Sequence, residues 1–136
     1  MVELFSKNVI SVVTVVMNDV NNIESTIQSV LSQVGCDIEY IVVDGGSSDG
    51  TQDVIEKYRD RIQHYCSEKD QGIYFAMNKG IDLAEGQWMI FLNSGDTFFS
   101  TTVLRDVFSG YLLCPRLSSA LWWCEGIAFY GQAKSG

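Results

Sequence analysis

The chain has 136 residues, nine Lys and Arg against seventeen Asp and Glu, and a formal net charge of −8. That length is one domain's worth, enough to bury a core, and 46% hydrophobic residues with a single proline exclude a disordered chain. The acidity excludes nucleic acid as the main partner, because no basic footprint exists, although an acidic protein can still take an anion through a metal ion or backbone N–H groups.

Strand and helix patterns alternate along the chain. Val9–Val16, VISVVTVV, is a β-branched run of the kind buried on both faces of a parallel sheet. After the polar break MNDVNN, Ile23, Ile27, Val30, Leu31 and Val34 recur at helical spacing, with Asn21 and Glu24 as a capping pair and Gly35 as the stop. A second strand over 39–43 leads into DGGSSDGT, where Thr51 is expected to cap a helix facing inward through Val54, Ile55 and Tyr58. A short strand is expected over 62–66. A helix from Asp70 or Gln71 should turn Ile73, Met77, Gly80, Ile81 and Ala84 inward. The strand WMIFL over 88–92, the loop NSGD and an amphipathic helix through Val103, Leu104, Val107 and Phe108 follow. This order predicts an α/β fold, Rossmann-like, with a mainly parallel sheet and helices on both faces.

Residues 1–110 are read as one domain and 111–136 as an atypical tail rather than a second one. The tail holds Pro115, Trp122, Trp123 and one acid, Glu125, without a clean period. A strand or hairpin on the sheet edge, an irregular end and a shifted or truncated reading frame all remain open for it, and no function is assigned. The Trp122–Trp123 pair reads as a packed edge or a membrane-facing patch rather than a sugar platform. Cys36, Cys66, Cys114 and Cys124 form no C-x-x-C pair, so free buried thiols are expected rather than a zinc site. The apolar run over 9–17 is too short to span a bilayer. It follows Lys7 and Asn8 with no small-residue cleavage site, so no signal peptide and a reducing cytoplasm are expected. His64 reads as a surface or packing residue, and Tyr74 and Phe75 as packing residues, either of which could instead flank a donor.

Ligands of open parallel sheets bind beyond the carboxyl ends of the strands. Three strands here end in informative loops, MNDVNN, DGGSSDGT and NSGD, which puts Asp44 and Asp96 on one rim. A strand that stops on a carboxylate followed by Gly45 and Gly46 is expected to face a ligand, the glycines letting the backbone turn and approach it. Neither G-x-G-x-x-G nor G-x-x-x-x-G-K-[ST] occurs, so bound phosphates would be neutralised by a divalent cation, with Asp96 as its ligand. Singly, either aspartate could be a turn or cap residue.

The segments SVVTVVMND, IEYIVVDGGSSDGT and SEKDQGIYFAMNKGIDLAEGQWMIFLNSGD, in this order and spacing, resemble the family 2 glycosyltransferases of GT-A fold, above all the bacterial members that build capsular and exopolysaccharide units. The resemblance covers roughly residues 8 to 108. It implies a metal-dependent, inverting transfer of a sugar from a nucleotide-sugar, a UDP-sugar, to a saccharide or lipid-linked acceptor in surface polysaccharide biosynthesis. It further implies a cytoplasmic enzyme that can associate peripherally with the inner face of the membrane. By the same resemblance Val15 and Met17 line the nucleoside pocket and Asp44 with Gly45 holds the uracil or ribose. Asp70 and Lys79 stand at the lip of the donor site, and Asp96 binds Mg²⁺ or Mn²⁺ between the donor phosphates. Departures are visible. Asn93 replaces the first acid of the D-x-D region, leaving one carboxylate for the metal, and Phe75 stands where many members have aspartate. The catalytic base is unknown, since in the family it lies in a C-terminal half that this chain largely lacks. A catalytically incomplete donor-binding fragment or pseudoenzyme is therefore the alternative. A nucleotidyltransferase is disfavoured by the absence of a Gly-rich basic loop after the first strand.

Overall fold

Of the eight residues Val9–Val16, seven are buried, because this run forms β1 inside a sheet covered on both faces. The computed structural model describes residues 9–69, 71–112, 121–124 and 127–130, with side chains as far as Val107. Strands β2 (Asp37–Asp44) and β4 (Trp88–Phe91) flank β1 in parallel, and β3 (His64–Ser67) lies parallel to β2 at the sheet edge. The order is β3-β2-β1-β4-β6-β5, in which β6 (Ile127–Tyr130) is antiparallel to β4 and pairs with β5 (Leu121–Cys124) as an antiparallel hairpin. The tail thus contributes strands to the sheet, one of the arrangements left open for it.

Helices cover both faces, as the alternating pattern predicts. On one side α1 (Ile23–Leu31), α2 (Thr51–Glu56) and α4 (Val103–Leu112) place Ile23, Ile27, Ile55 and Leu104 against Ile10, Val12, Tyr40 and Ile90. On the other, α3 (Ile73–Leu83) sets Ala76 against Val13, Val15, Ile41 and Val43. Each large apolar side chain so buried contributes about 1.5–3 kcal/mol before the entropy of ordering it. One polar pair sits in this core, the hydroxyls of Thr14 and Tyr40 bonding at 2.8 Å, so neither is left unpaired.

Several local expectations are corrected. Helix α1 stops at Leu31 rather than at Gly35, and Val34 is exposed. Gln33 is drawn out of the helical path, its side chain donating to Ser100 O at 2.6 Å and accepting from Leu104 N. The Asn21–Glu24 capping pair is absent; the carbonyl of Asp19 receives Asn22 N and Ile23 N instead. Thr51 is the first residue of α2, and the capping role passes to Asp49, which accepts its N–H at 3.0 Å. The second strand begins at Asp37, earlier than expected, and β3 is shifted toward Ser67. Cys36 and Cys66 are free but only half-buried.

The inward face of α3 is partly as expected. Gly80 and Ala84 are buried as expected, and Ala76 with them, but Ile73 and Ile81 are exposed, and Tyr74 and Phe75 are 77% and 51% exposed. Small residues face the sheet because the helix lies close to it: a β-carbon at Gly80 would collide with Val13 Cγ1. Gly80→Ala is therefore expected to destabilise by roughly 1–3 kcal/mol through overpacking, offset by about 1 kcal/mol of helix propensity. Urea denaturation with an unchanged m-value is the check.

Candidate functional site

The parallel strands β1, β2 and β4 deliver their three loops to one edge of the sheet, as expected for Asp44 and Asp96. Main-chain bonds continue past the strand ends, from Gly45 N to Val16 O and from Ser94 N to Val15 O. Beyond them the loops are tied side chain to backbone. Asn18 N donates to Ser47 Oγ at 2.7 Å, Asp19 N to Thr51 Oγ1 at 3.0 Å and Val20 N to Asp49 Oδ2 at 3.1 Å. In return Ser48 N donates to Asn18 Oδ1 at 2.8 Å. On the far side Ser94 Oγ donates to Asp19 Oδ2 at 2.8 Å, and Thr26 Oγ1 donates to Asp96 O while accepting Gly95 N. The side chains of Ser47, Asp49 and Thr51 in the second loop are thus spent on holding the first, with bonds of the kind Asx and Ser/Thr turns build.

Between these loops and the start of α3 lies an open pocket of about 450 Å³, within the range of small-molecule sites. Val15, Met17, Ile73 and Ala76 give it an apolar wall, and Gly45 and Gly72 bring backbone to its surface. Asp19, Asn93 and Ser94 supply its polar end and Lys69 a cation. Asn93 Oδ1 is buried and has no hydrogen-bond partner among the described residues. A buried acceptor left open costs about 1–3 kcal/mol, so its place in the pocket marks where a ligand hydroxyl, amine or cation would be welcome.

Of the residues singled out from sequence, Val15, Met17 and Gly45 line this pocket. Asp44 ends β2 beside it but is 0% exposed. Its carboxylate accepts five hydrogen bonds, from the N–H groups of Gly46 (3.2 Å) and Ser47 (2.9 Å), Gln52 Nε2 (3.1 Å), Ser67 Oγ (2.7 Å) and the Ser47 hydroxyl. Of the two glycines that follow, Gly46 is the one with positive φ, +90°, where a side chain would also press on the Lys69 backbone. Lys79 lines a different recess, with Arg59, Tyr65 and Asp82, and its Nζ pairs with Glu68 Oε1 at 2.7 Å. Asp96 lies on the exposed rim outside the pocket lining, and no described residue bonds to its carboxylate. Asp70 falls outside the described residues. Asn18, Asp19, Ser47 and Lys69 were not singled out, although the polar break MNDVNN and the serines of the second loop were the signal for three of them.

Burial alone would raise the Asp44 carboxyl, but bonds from Ser47, Ser67 and Gln52 outweigh it and hold it below the usual aspartate range. Stability from this group is therefore fully present above the unfolded aspartate value, about 3.9. It is lost as pH falls through the lower folded value. The acid limb of Tm against pH should accordingly be less steep below about pH 4 in Asp44→Asn than in the parent.

Could this rim hold the divalent ion that the loop pattern suggests? Among the described residues no three His, Cys, Asp or Glu side chains gather. Mg²⁺ and Mn²⁺ nevertheless bind through one or two carboxylates completed by substrate phosphates and water. The unengaged Asp96 carboxylate and the open oxygen of Asn93 are donors of the right chemistry.

A mainly parallel sheet flanked by helices, with a pocket where the β1, β2 and β4 loops meet, is the GT-A arrangement. The chain belongs to glycosyl transferase family 2, whose model matches residues 11–108. It is 32% identical over 100 residues to a PGL/p-HBAD biosynthesis glycosyltransferase of Mycobacterium bovis, covering 71% of this chain and 39% of that one. It is 38% identical over 93 residues to the putative teichuronic acid biosynthesis glycosyltransferase TuaG of Bacillus subtilis, covering 66% of this chain and 37% of the relative. The chain therefore spans about two fifths of the length of these relatives. Among solved structures it resembles S. aureus TarS in complex with UDP-GlcNAc, with TM-score 0.69, 26% identity, 76% of this chain and 31% of that chain. The fold also matches the mannosyltransferase PcManGT of Pyrobaculum calidifontis, in complex with GDP-Man and Mn²⁺, with TM-score 0.75 and 16% identity over 90% of this chain and 44% of that one. Among the described residues no helix is long and apolar enough to cross a membrane.

Proposed function

We propose that the pocket binds the nucleoside diphosphate of a sugar donor, a UDP-sugar, and that the family activity is inverting sugar transfer to a saccharide or lipid-linked acceptor in surface polysaccharide biosynthesis. The observation that carries this reading is the pocket itself: apolar wall, exposed backbone and an open buried acceptor at Asn93, at the C-terminal edge of the sheet. Val15, Met17 and Gly45 would wall the nucleoside, and Lys69 would stand toward the phosphates. TarS, solved with UDP and with UDP-GlcNAc, supports the choice of uridine. Relatives named for teichuronic acid and PGL/p-HBAD biosynthesis support the acceptor class. On this reading the work is done on the cytoplasmic side, at the inner face of the membrane.

Asp96 and Asn93 would hold Mg²⁺ or Mn²⁺ against the phosphates. Such an ion, when bound, neutralises the charge that develops on the leaving diphosphate. Inversion further needs a carboxylate base on the face of the sugar opposite the leaving group, as in inverting glycosidases. Asp19, the one acid among the described residues that line the pocket, accepts a hydrogen bond on each oxygen, from Asn22 Nδ2 and Ser94 Oγ. That favours a second reading for these residues alone, donor binding without turnover, with the base supplied elsewhere.

Thermal melts with a panel of nucleotides test the assignment. A ligand at about 100 times its Kd adds about 2.7 kcal/mol, so UDP with Mn²⁺ should raise Tm by several degrees and uridine by less. A folded protein whose Tm no nucleotide moves would contradict it.

A further inference from the structure

Asp44 stands at the end of β2 beside the pocket, yet the pocket surface at this point is Gly45. We propose that Asp44 is a positioning residue that acts through Ser47 on Asn18, setting the loop that walls the nucleotide pocket, rather than touching the nucleotide. The inference rests on the donor-site reading above.

The geometry argues it link by link. An ionised carboxylate has about four lone-pair sites and accepts only; Asp44 already receives five donors and is 0% exposed. It has no capacity left for a ring N–H or a ribose hydroxyl. Its demand for protons does, however, fix its neighbour. Ser47 Oγ has one proton, which goes to Asp44, so its lone pairs face outward and accept Asn18 N at 2.7 Å. Asn18 is the one described non-glycine residue with positive φ, +49°, a conformation uncommon outside glycine and best tolerated by Asn. A second bond, Ser48 N to Asn18 Oδ1, completes the clamp. Met17, Asn18 and Asp19 line the pocket in consequence.

The test measures UDP and GDP affinity, with Mn²⁺, for the parent chain, Asp44→Asn, Ser47→Ala, the double variant and Ser47→Thr. Only variants that remain folded by circular dichroism are compared, and Ser47→Ala carries the test should Asp44→Asn fail to fold. Positioning predicts that Ser47→Ala and Asp44→Asn each weaken UDP and GDP by the same factor, about tenfold. The double variant should then be no weaker than either single one, since both break one chain of bonds. Ser47→Thr, which keeps the hydroxyl, should recover most of the loss. Unchanged affinity in Ser47→Ala, or a shift in the UDP-to-GDP ratio in Asp44→Asn alone, would overturn the proposal. A parent chain that binds neither nucleotide would instead overturn the donor-site reading, and this inference with it.

Discussion

Asp96→Ala is expected to abolish the Mn²⁺ dependence of UDP binding while leaving the fold intact. The side chain is exposed and unengaged by described residues, so its removal should change stability by no more than about 0.5 kcal/mol. The main chain of this loop is held without it, through Thr26 Oγ1 to Asp96 O and Asp96 N to Asn93 O. What the substitution removes is a carboxylate of the β4 loop that no described residue engages, on the rim outside the pocket lining. Losing even an outer partner of a metal ligand costs about 10–100-fold in metal affinity, and a direct ligand should cost at least as much. Calorimetric titration of UDP into Asp96→Ala should then give one weak affinity, the same with Mn²⁺ as with EDTA. An undiminished Mn²⁺ effect in this variant would move the metal site elsewhere.

Asp44→Ala should have the largest effect on stability of any single substitution at the rim. Truncation leaves the Gly46 and Ser47 N–H groups and the Ser47 and Ser67 hydroxyls without this acceptor, while the Gln52 amide keeps Ser47 O and Ser67 Oγ. An unsatisfied buried donor costs about 1–3 kcal/mol, which applies in full at buried Ser47 and less at Gly46 and the exposed Ser67, where water can enter. A total of roughly 3–5 kcal/mol is a large share of the 5–15 kcal/mol that holds a typical domain. Urea denaturation measures it directly. Nucleotide binding should weaken equally with and without metal, because the loop and not the ion is disturbed. A loss under about 1 kcal/mol would mean that the network around Asp44 carries little.

How much of this was legible beforehand follows from where the information lies. The β-branched runs that became β1 and β2 are local and sit in a fully covered sheet, so composition and period were enough. On helix α3 Gly80 and the following Ala84 were expected inward and are buried, whereas Ala76 was missed because small residues carry little signal. A close helix–sheet approach leaves no hydrophobic signal at such residues, and the exposed Ile73 and Ile81 supplied a false one. The rim was readable as a place, since parallel strands must end together. The direction of the Asp44 side chain was not, because it is set by Ser67, twenty-three positions away, and by Gln52. Lys79 was likewise placed near the donor by resemblance, whereas Glu68 draws it toward the neighbouring recess.

The central claim, that the pocket between the β1, β2 and β4 loops is a nucleotide-sugar donor site, is tested most directly by calorimetric titration of UDP into the full chain with Mn²⁺ and again with EDTA. Saturable binding that weakens at least tenfold, about 1.4 kcal/mol, when the metal is removed is the predicted result. A folded protein that takes up no UDP under either condition would contradict it.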